Sequence, residues 1–246
     1  PGIAKGAEHA QGGNIITVTP LETLGHFKND WLEARYHFSF SGYVDPARMG
    51  VGALRVWNDD TIQAGGSFPP HPHRDMEIVT FLRRGAITHE DNLGNRGVTM
   101  AGNVQVMSTG TGIVHSESNL EDDITTLFQI WIQPAEMNIQ PRWETRDFPG
   151  DARAGRLHVL ASGRAGDDGA LSIHQDAAVM GATLAPGEEA VHGLADNRQA
   201  YLVPARGDIL VNGIAAAERA GVLVSGEQQI TIQASSEAEV VLVDVA

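Results

Sequence analysis

The chain has 246 residues, of which 42% are hydrophobic and 20% are charged. This composition is typical of a globular protein with one large or two compact domains, and it excludes a low-complexity or collagen-like chain. The 31 acidic residues outnumber the 17 basic ones and give a net charge of −14, which argues against direct binding of nucleic acid because phosphates would be repelled.

Short strands separated by turns dominate the sequence. Each predicted strand is a β-branched or alternating run. In chain order these runs are residues 14–19, 53–57, 77–83, 104–107, 124–133, 200–204, 229–233 and 238–245. Clusters of Gly, Asn, Asp and Pro between them have turn chemistry, and long helical periodicity is absent. The spacing predicts an all-β sandwich or barrel with few helical residues.

A faint internal repeat indicates two β units of one kind. Residues 65–85 (GGSFPPHPHRDMEIVTFLRRG) and 187–207 (GEEAVHGLADNRQAYLVPARG) both run from a glycine through histidine to a strand and a closing Arg-Gly. Residues 134–155 contain three prolines, many charges and no alternation, which suits a crossover better than a strand. The predicted division is therefore an N-terminal domain at 1–134, a linker at 135–154 and a C-terminal domain at 155–246.

The chain contains no cysteine, which excludes disulfide bonds, thiolate metal sites and cysteine nucleophiles. Any metal would therefore be held by histidine and carboxylate. No apolar run reaches the roughly 18–20 residues of a membrane span, and the first residues lack the layout of a secretory signal. The expectation is a cytoplasmic protein with no membrane contact.

Two pairs of candidate metal ligands stand out among the ten histidines. His71 and His73 are two residues apart, as are His115 and Glu117. Alternate residues of a strand face the same way, so two adjacent strands would bring the four donors to one point. Three imidazoles and one carboxylate suit one divalent ion, with Fe(II) favoured and Ni, Mn, Cu and Zn as alternatives, and they leave open positions as in catalytic sites. A lone His-x-His pair would more often be two solvated side chains on a surface strand.

The spacing around these residues resembles the cupin motifs. Gly65 and Glu77 frame the first pair as in G-x5-H-x-H-x3-E, and Gly85 follows one residue later than usual. The second segment keeps the His-x3-Asn ending, from His115 to Asn119. It departs from the cupin pattern by having serine at position 108, where proline is expected, and two extra residues before the histidine.

Longer segments resemble the pirin family. They include DWLEARYHFSF at 30–40, FPPHPHRDMEIVTF at 68–81, GIVHSE at 112–117, FQIWIQ at 128–133 and QPRWE at 140–144. The resemblance is dense from Leu24 to about Phe148 and holds only in outline beyond. It implies a bicupin, that is, two stacked antiparallel β-barrels of jelly-roll type, with metal in the N-terminal barrel only. Leu194 in the second copy of the repeat, where a second histidine would be needed, agrees with this expectation.

The resemblance also implies roles for individual residues. The family's metal ligands correspond to His71, His73, His115 and Glu117; from its own chemistry Glu117 is also a candidate catalytic base. Glu77 occupies a position that is a ligand in some cupins and is expected beside the site rather than in it. His89, in a predicted hairpin arm, is expected to be structural or at the rim. The remaining histidines are expected on the surface or in the core with satisfied hydrogen bonds: His9, His26, His37, His158, His174 and His192.

Two functions are compatible with such a site. The resemblance implies quercetinase-like dioxygenase activity, in which O2 opens a flavonol to a depside with loss of carbon monoxide. Its partners would then be a small aromatic substrate and O2, and the chain is expected to be a monomer. The alternative is a non-enzymatic, iron-dependent redox-sensing co-regulator that binds a protein partner, with which the acidic surface is compatible.

Overall fold

The fold is known from a computed structural model, which describes residues Glu8–Gln11 and Asn14–Ala246, with side chains from Ile15 onward. Within these residues the chain forms 23 strands and two short 3-10 helices, so the all-β prediction is confirmed. The helices are η1 (Leu21–Thr23) and η2 (Gly150–Arg153). No helix in this part of the chain is long and apolar enough to cross a membrane.

Strands β1 to β12 are β1 (Glu8–Gln11), β2 (Asn14–Thr19), β3 (Gly25–Lys28), β4 (Leu32–Tyr36), β5 (Leu54–Ile62), β6 (Ser67–His73), β7 (Glu77–Arg84), β8 (Ala86–Asp91), β9 (Arg96–Met100), β10 (Val104–Ser108), β11 (Ile113–Ser118) and β12 (Thr125–Ile132). Strands β13 to β23 are β13 (Arg142–Arg146), β14 (His158–Ser162), β15 (Leu171–Ser172), β16 (Ala177–Leu184), β17 (Glu189–Gly193), β18 (Gln199–Arg206), β19 (Ile209–Val211), β20 (Ile214–Ala216), β21 (Gly221–Ser225), β22 (Gln229–Ala234) and β23 (Ala238–Val245).

The strands are divided between two compact units. The N-terminal unit consists of Gly25–Pro149 and Leu160–Ala177, and the C-terminal unit of Gly150–Val159, Ala178–Ala246 and the described residues up to Leu24. Strand β2 belongs to the C-terminal unit because it pairs with β21. The predicted division into domains at 1–134 and 155–246 with a linker at 135–154 stays a prediction.

One strand within residues 134–155 was not anticipated. Arg142–Arg146 forms β13, which pairs with β10 at the edge of a sheet. Trp143 lies opposite Met107, and the Thr145 hydroxyl shares a hydrogen bond of 2.8 Å with the Thr99 hydroxyl. The sequence does not predict this short strand because prolines and charges surround it. Such residues are tolerated here because β13 is an edge strand, which pairs with only one neighbour.

Residues Gly25–Pro149 of the N-terminal unit form two antiparallel sheets whose side chains share a core. The strand orders are β13-β10-β7-β12-β5-β4-β3 and β6-β11-β8-β9. Leu32, Ile62 and Leu127 of the first sheet form one buried cluster with Ile87 of the second, against which Phe68 also packs. This arrangement fits the jelly-roll expectation.

The loop before β11 is held in place by tight backbone geometry. Gly110 has a φ of +42°, and a Cβ there would lie 2.0 Å from the Ile139 carbonyl oxygen. Its own carbonyl accepts a 3.0 Å hydrogen bond from the N–H of Asp75, which follows β6. The ends of β6 and β11 are therefore joined where the predicted ligand pairs lie.

In the C-terminal unit, strands β1, β2, β21, β18, β23 and β16 lie side by side, and a second sheet has the order β17-β22-β19-β20. Leu194 is 3% exposed and belongs to the apolar core of this unit. The neighbouring His192 forms a 2.8 Å hydrogen bond from Nε2 to Asp244, whose other oxygen accepts one of 2.6 Å from Arg198. The position that would need a donor is thus filled by a packed leucine, and His192 is engaged by a carboxylate.

We expect Asp244→Asn to lower the free energy of unfolding by about 1–3 kcal/mol at pH 7. Burial alone would raise the pKa of Asp244, but the hydrogen bonds from His192 and Arg198 outweigh it and hold the pKa below its ordinary value. A carboxyl with a depressed pKa stabilises the fold above its unfolded pKa and loses that contribution as the pH falls through the folded one. The gap between wild type and variant should therefore shrink below about pH 4 in urea unfolding. The exposed Asp196→Asn is the control, and a gap constant from pH 7 to pH 3 would contradict this account.

Candidate metal centre

Three of the predicted ligands lie together at one end of the β6–β11 pair. His115 stands opposite His71 in the antiparallel register, and their Nε2 atoms are 3.1 Å apart. The ring centroid of His73 is 4.8 Å from that of His71 and 5.1 Å from that of His115. One donor atom from each of the three lies within 4.8 Å of the other two.

The hydrogen bonds of His71 and His115 favour tautomers in which the two facing nitrogens carry no proton. The Nδ1–H of His71 donates to the Pro69 carbonyl oxygen at 2.7 Å, which leaves its Nε2 with a free lone pair. His115 Nδ1 lies 3.3 Å from His89 Nδ1, and His89 Nε2 lies 2.8 Å from Asp91 Oδ2. If His89 donates to Asp91, its Nδ1 accepts from His115, whose Nε2 is then also bare.

Two bare lone pairs this close repel each other unless a cation lies between them. Two nitrogen ligands at about 2.1 Å from one ion and at a right angle to each other are about 3.0 Å apart, close to the observed 3.1 Å between His71 and His115. The geometry of the imidazoles therefore fits a bound metal ion.

The pKa values agree with neutral, ligating imidazoles. Burial, with a further contribution from His71, lowers the pKa of His73 to about 4. Burial and then His71, His73 and His89 lower the pKa of His115 to about 2, against the opposing effect of Asp91. Both side chains therefore keep the neutral form that binds metal at pH 7.

Glu117 lies in a second, overlapping donor group with His115 and His89. Its Oε1 accepts a 2.6 Å hydrogen bond from Gln105, and its Oε2 accepts one of 2.5 Å from Gln129. The carboxyl is buried, and this burial raises its pKa, against the lowering effects of His89 and the two amides. A β-bulge between His115 and Glu117 shifts their register against β6. The assignment of all four residues to one ion stays a proposal.

His89, expected as a structural or rim residue, is fully buried behind His115. It stacks on Trp143, with ring centroids 4.7 Å apart and an interplanar angle of 7°. Its partner Asp91 is also bound by Asn95. These contacts fix the orientation of His115, and this role was missed because His89 and Trp143 lie 54 residues apart in the sequence.

We expect His89→Phe to weaken metal binding by about 10–100-fold, the range seen when a ligand loses its hydrogen-bond partner. Phenylalanine can keep the stacking on Trp143 but cannot accept the proton of His115 Nδ1. Competition with a chelator measures the affinity. His26→Phe, which affects a surface histidine bonded to Glu33, is the control. An unchanged affinity in His89→Phe would contradict the role assigned to the hydrogen bond.

Glu77 lies outside both donor groups. Its carboxylate is fully buried and accepts a 2.7 Å hydrogen bond from the Ser108 hydroxyl, with His174 Nδ1 3.2 Å away. Serine at position 108, where the cupin pattern has proline, therefore supplies a donor to Glu77. The expectation that Glu77 lies beside the site rather than in it is consistent with these contacts.

The other histidines with described side chains lie outside both donor groups. His26 is paired with Glu33 near the surface, and His37 is buried 6.0 Å from the Trp57 ring. His174 and His192 bind carboxylates. The side chain of His9 lies outside the described residues.

A cavity of about 310 Å3 opens beside the three histidines. Its walls are mostly apolar and aromatic. The lining residues are Leu32, Ala34, Tyr36, Phe40, Asn58, Asp60, Phe68, Pro69, His71, His73, Glu117, Gln129 and Trp131. Burial raises the pKa of Asp60 well above its ordinary value, with further contributions from Asp59 and Glu117 and an opposing one from Arg83. The cavity has the size and polarity of a small-molecule site.

Antiparallel jelly-roll sheets with a histidine cluster on paired strands define a cupin with a candidate metal centre. Residues 18–132 match the family profile described as Pirin, and residues 159–245 match the one described as Quercetinase C-terminal cupin domain. The chain belongs to the pirin family.

Similar proteins match along almost the whole chain. The protein PA1210 of Pseudomonas aeruginosa is 55% identical over 232 residues, which cover 94% of this chain and 100% of that protein. Quercetin 2,3-dioxygenase of Escherichia coli is 42% identical over 231 residues, covering 94% of this chain and 98% of that one. The crystal structure of YhhW from Escherichia coli matches with a TM-score of 0.89 at 40% identity, covering 94% and 97% of the two chains. A complex of YhhW with nickel(II) matches with a TM-score of 0.87, covering 94% and 98%.

We expect one tightly bound ion per chain, held by the N-terminal unit. Both donor groups among the described residues lie there, whereas the C-terminal unit has Leu194 in its core and His192 bonded to Asp244. Elemental analysis of protein dialysed after loading measures the stoichiometry. Two tightly held ions per chain would contradict this expectation.

Proposed function

We propose that this protein is a metal-dependent dioxygenase that opens quercetin-type flavonols with O2, giving a depside and carbon monoxide. The observation that carries the proposal is the apolar cavity of about 310 Å3, whose lining includes His71, His73 and Glu117. A site for redox sensing alone needs no aromatic-walled cavity beside the ligands. The activity named for the relative from Escherichia coli supports the same reaction.

The proposed ligands are His71, His73, His115 and Glu117, and the proposed ion is Fe(II), with nickel as the first alternative because a related protein has been solved with nickel(II). When bound, the ion would supply a Lewis acid that lowers the pKa of a hydroxyl on the substrate. The neutral imidazoles keep the net charge of the donor set low. His73 and His115 are neutral because burial holds their pKa values below the ordinary range.

Glu117 is the proposed base that accepts the proton of the flavonol hydroxyl. In the metal-free protein burial raises the pKa of Glu117, so its carboxylate takes up a proton more readily there than an exposed glutamate does. Gln105 and Gln129 each donate to one of its oxygens and so fix its orientation. When the carboxylate takes up a proton, one of these oxygens becomes a donor, and its amide partner must then turn or let go.

The aromatic walls position a flat substrate and exclude water. Phe40 packs edge to face on Trp131, with ring centroids 5.4 Å apart, and Trp131 packs in the same way on His73 at 5.0 Å. Trp31 supports Phe68 at 4.9 Å. A planar polycyclic ligand would bury its faces against these rings, and the removal of water would strengthen its polar contacts to the site.

Aerobic turnover of quercetin by metal-free, Fe(II)-loaded and Ni(II)-loaded protein, measured side by side, tests the proposal. We expect turnover with at least one metal and none without. Absence of turnover with every metal would reject the enzyme and favour the alternative, an iron-dependent co-regulator that binds a protein partner.

A further inference from the structure

The cavity beside the candidate metal centre has one polar patch that the proposed mechanism does not use. Asn58 and Asp60 lie two residues apart on β5 and line this cavity. Their side chains are buried, with relative exposures of 5% and 3%. Within the described residues, Oδ1 of Asn58 and Oδ1 of Asp60 have no hydrogen-bond partner.

The neighbouring strands explain why Oδ1 of Asp60 lacks a partner. It lies opposite Ala34 of β4 and Leu127 of β12, neither of which carries a polar side chain. Asn58 lies opposite Tyr36 of β4 and Gln129 of β12. The Gln129 amide nitrogen donates to Glu117, and its oxygen accepts from Trp131. Asp59, which points to the other face of β5, forms an ion pair with Arg83.

Leaving a buried carboxyl without a hydrogen-bond partner costs free energy, and folded proteins rarely do so. Apolar residues at positions such as 60 usually give a more stable fold. Two such oxygens on one cavity wall therefore point to a ligand that supplies the missing hydrogens. Oδ1 of Asn58 is an acceptor, and Asp60 keeps an acceptor oxygen even where its raised pKa leaves the carboxyl protonated. A ligand that presents O–H or N–H donors between apolar surfaces therefore fits both groups.

We propose that Asn58 and Asp60 bind the hydroxyl groups of an aromatic ligand and so select phenols over unsubstituted rings. The inference rests on the proposed function only where it identifies the ligand as a flavonol. The binding of phenolic hydroxyls itself needs no metal. The aromatic side chains in the same wall fit the ring, and the two oxygens fit its hydroxyls. Asp60 is thus assigned as a specificity-determining residue.

Binding of phenol and fluorobenzene to metal-free protein tests this proposal, because the two molecules have nearly the same shape and only phenol has a donor. Dissociation constants are measured by NMR titration for wild type, Asp60→Leu and Asp59→Asn. The preference for phenol is the dissociation constant of fluorobenzene divided by that of phenol. This ratio should be at least about tenfold larger in wild type than in Asp60→Leu. Asp59→Asn, whose side chain faces away from the cavity, should keep the wild-type ratio.

Thermal unfolding separates this role from a structural one. If Asp60 serves ligand binding, Asp60→Leu should unfold at the wild-type temperature or a few degrees above it, because leucine removes an unpaired polar group. Equal binding ratios in wild type and Asp60→Leu would overturn the proposal. If the unfolding temperature were also unchanged, only water would occupy the patch; if it fell, the role of Asp60 would be structural. Failure of quercetin turnover would reject the proposed reaction but would leave these binding ratios, which are measured without metal, as an independent result.

Discussion

Glu117→Gln is expected to lower quercetin turnover by about 100-fold or more, even in protein shown to hold its metal. Glutamine keeps the shape of the side chain and one oxygen that can bind an ion, but it cannot accept a proton. In addition, Gln105 and Gln129 each donate to one oxygen of Glu117, so in the variant one of these two amides would face the new NH2 group. Gln129 or Gln105 would have to turn to restore the hydrogen bond.

The comparison requires that turnover be divided by bound metal, measured on the same samples. Glu77→Gln is the matched control, because Glu77 is equally buried but is bonded to Ser108 and His174 rather than to the cavity side chains. It should retain at least about a tenth of the activity, because it lies outside both donor groups and losses of roughly 10–100-fold are the upper range for residues that only support a site. If metal-loaded Glu117→Gln turned over quercetin at the wild-type rate, Glu117 would not be the base.

His115→Ala should abolish turnover by removing the metal. The substitution deletes the imidazole whose Nε2 faces His71, and it also leaves His89 without its partner on that side. Loss of one of four proposed ligands lowers affinity, so the occupancy and the rate should fall together.

Elemental analysis after dialysis and quercetin turnover are measured on the same preparation. His192→Ala, in the C-terminal unit, is the control and should bind as much metal as the wild type, since His192 is engaged by Asp244. A preparation of His115→Ala that still holds a full complement of metal would show that this histidine is not a ligand.

Several strands were predictable from the sequence because they are β-branched or alternating runs bounded by turn residues. The runs at 14–19 and 238–245 have the same bounds as β2 and β23. The sequence predicts that this strand ends at residue 57, because Asn58, Asp59 and Asp60 have the composition of a turn. Strand β5 instead continues to Ile62. Their polarity is accommodated by an ion pair on one face and the cavity on the other, which local sequence cannot reveal.

The candidate site was predictable only in part. The pairs His71 and His73, and His115 and Glu117, stand at the spacing of alternate strand residues, which identifies them in the sequence. The roles of Gln105, Gln129 and His89 depend on pairing between strands that are distant along the chain and on the bulge in β11. No spacing rule within one segment reports such contacts.

The central claim is tested most directly by letting metal-loaded protein react with quercetin and 18O-labelled O2 and analysing both products. The account predicts a depside that contains both heavy oxygen atoms, together with an equimolar amount of unlabelled carbon monoxide, and neither product above background when the protein is free of metal. Consumption of quercetin without carbon monoxide, or at the same rate with and without metal, would contradict it.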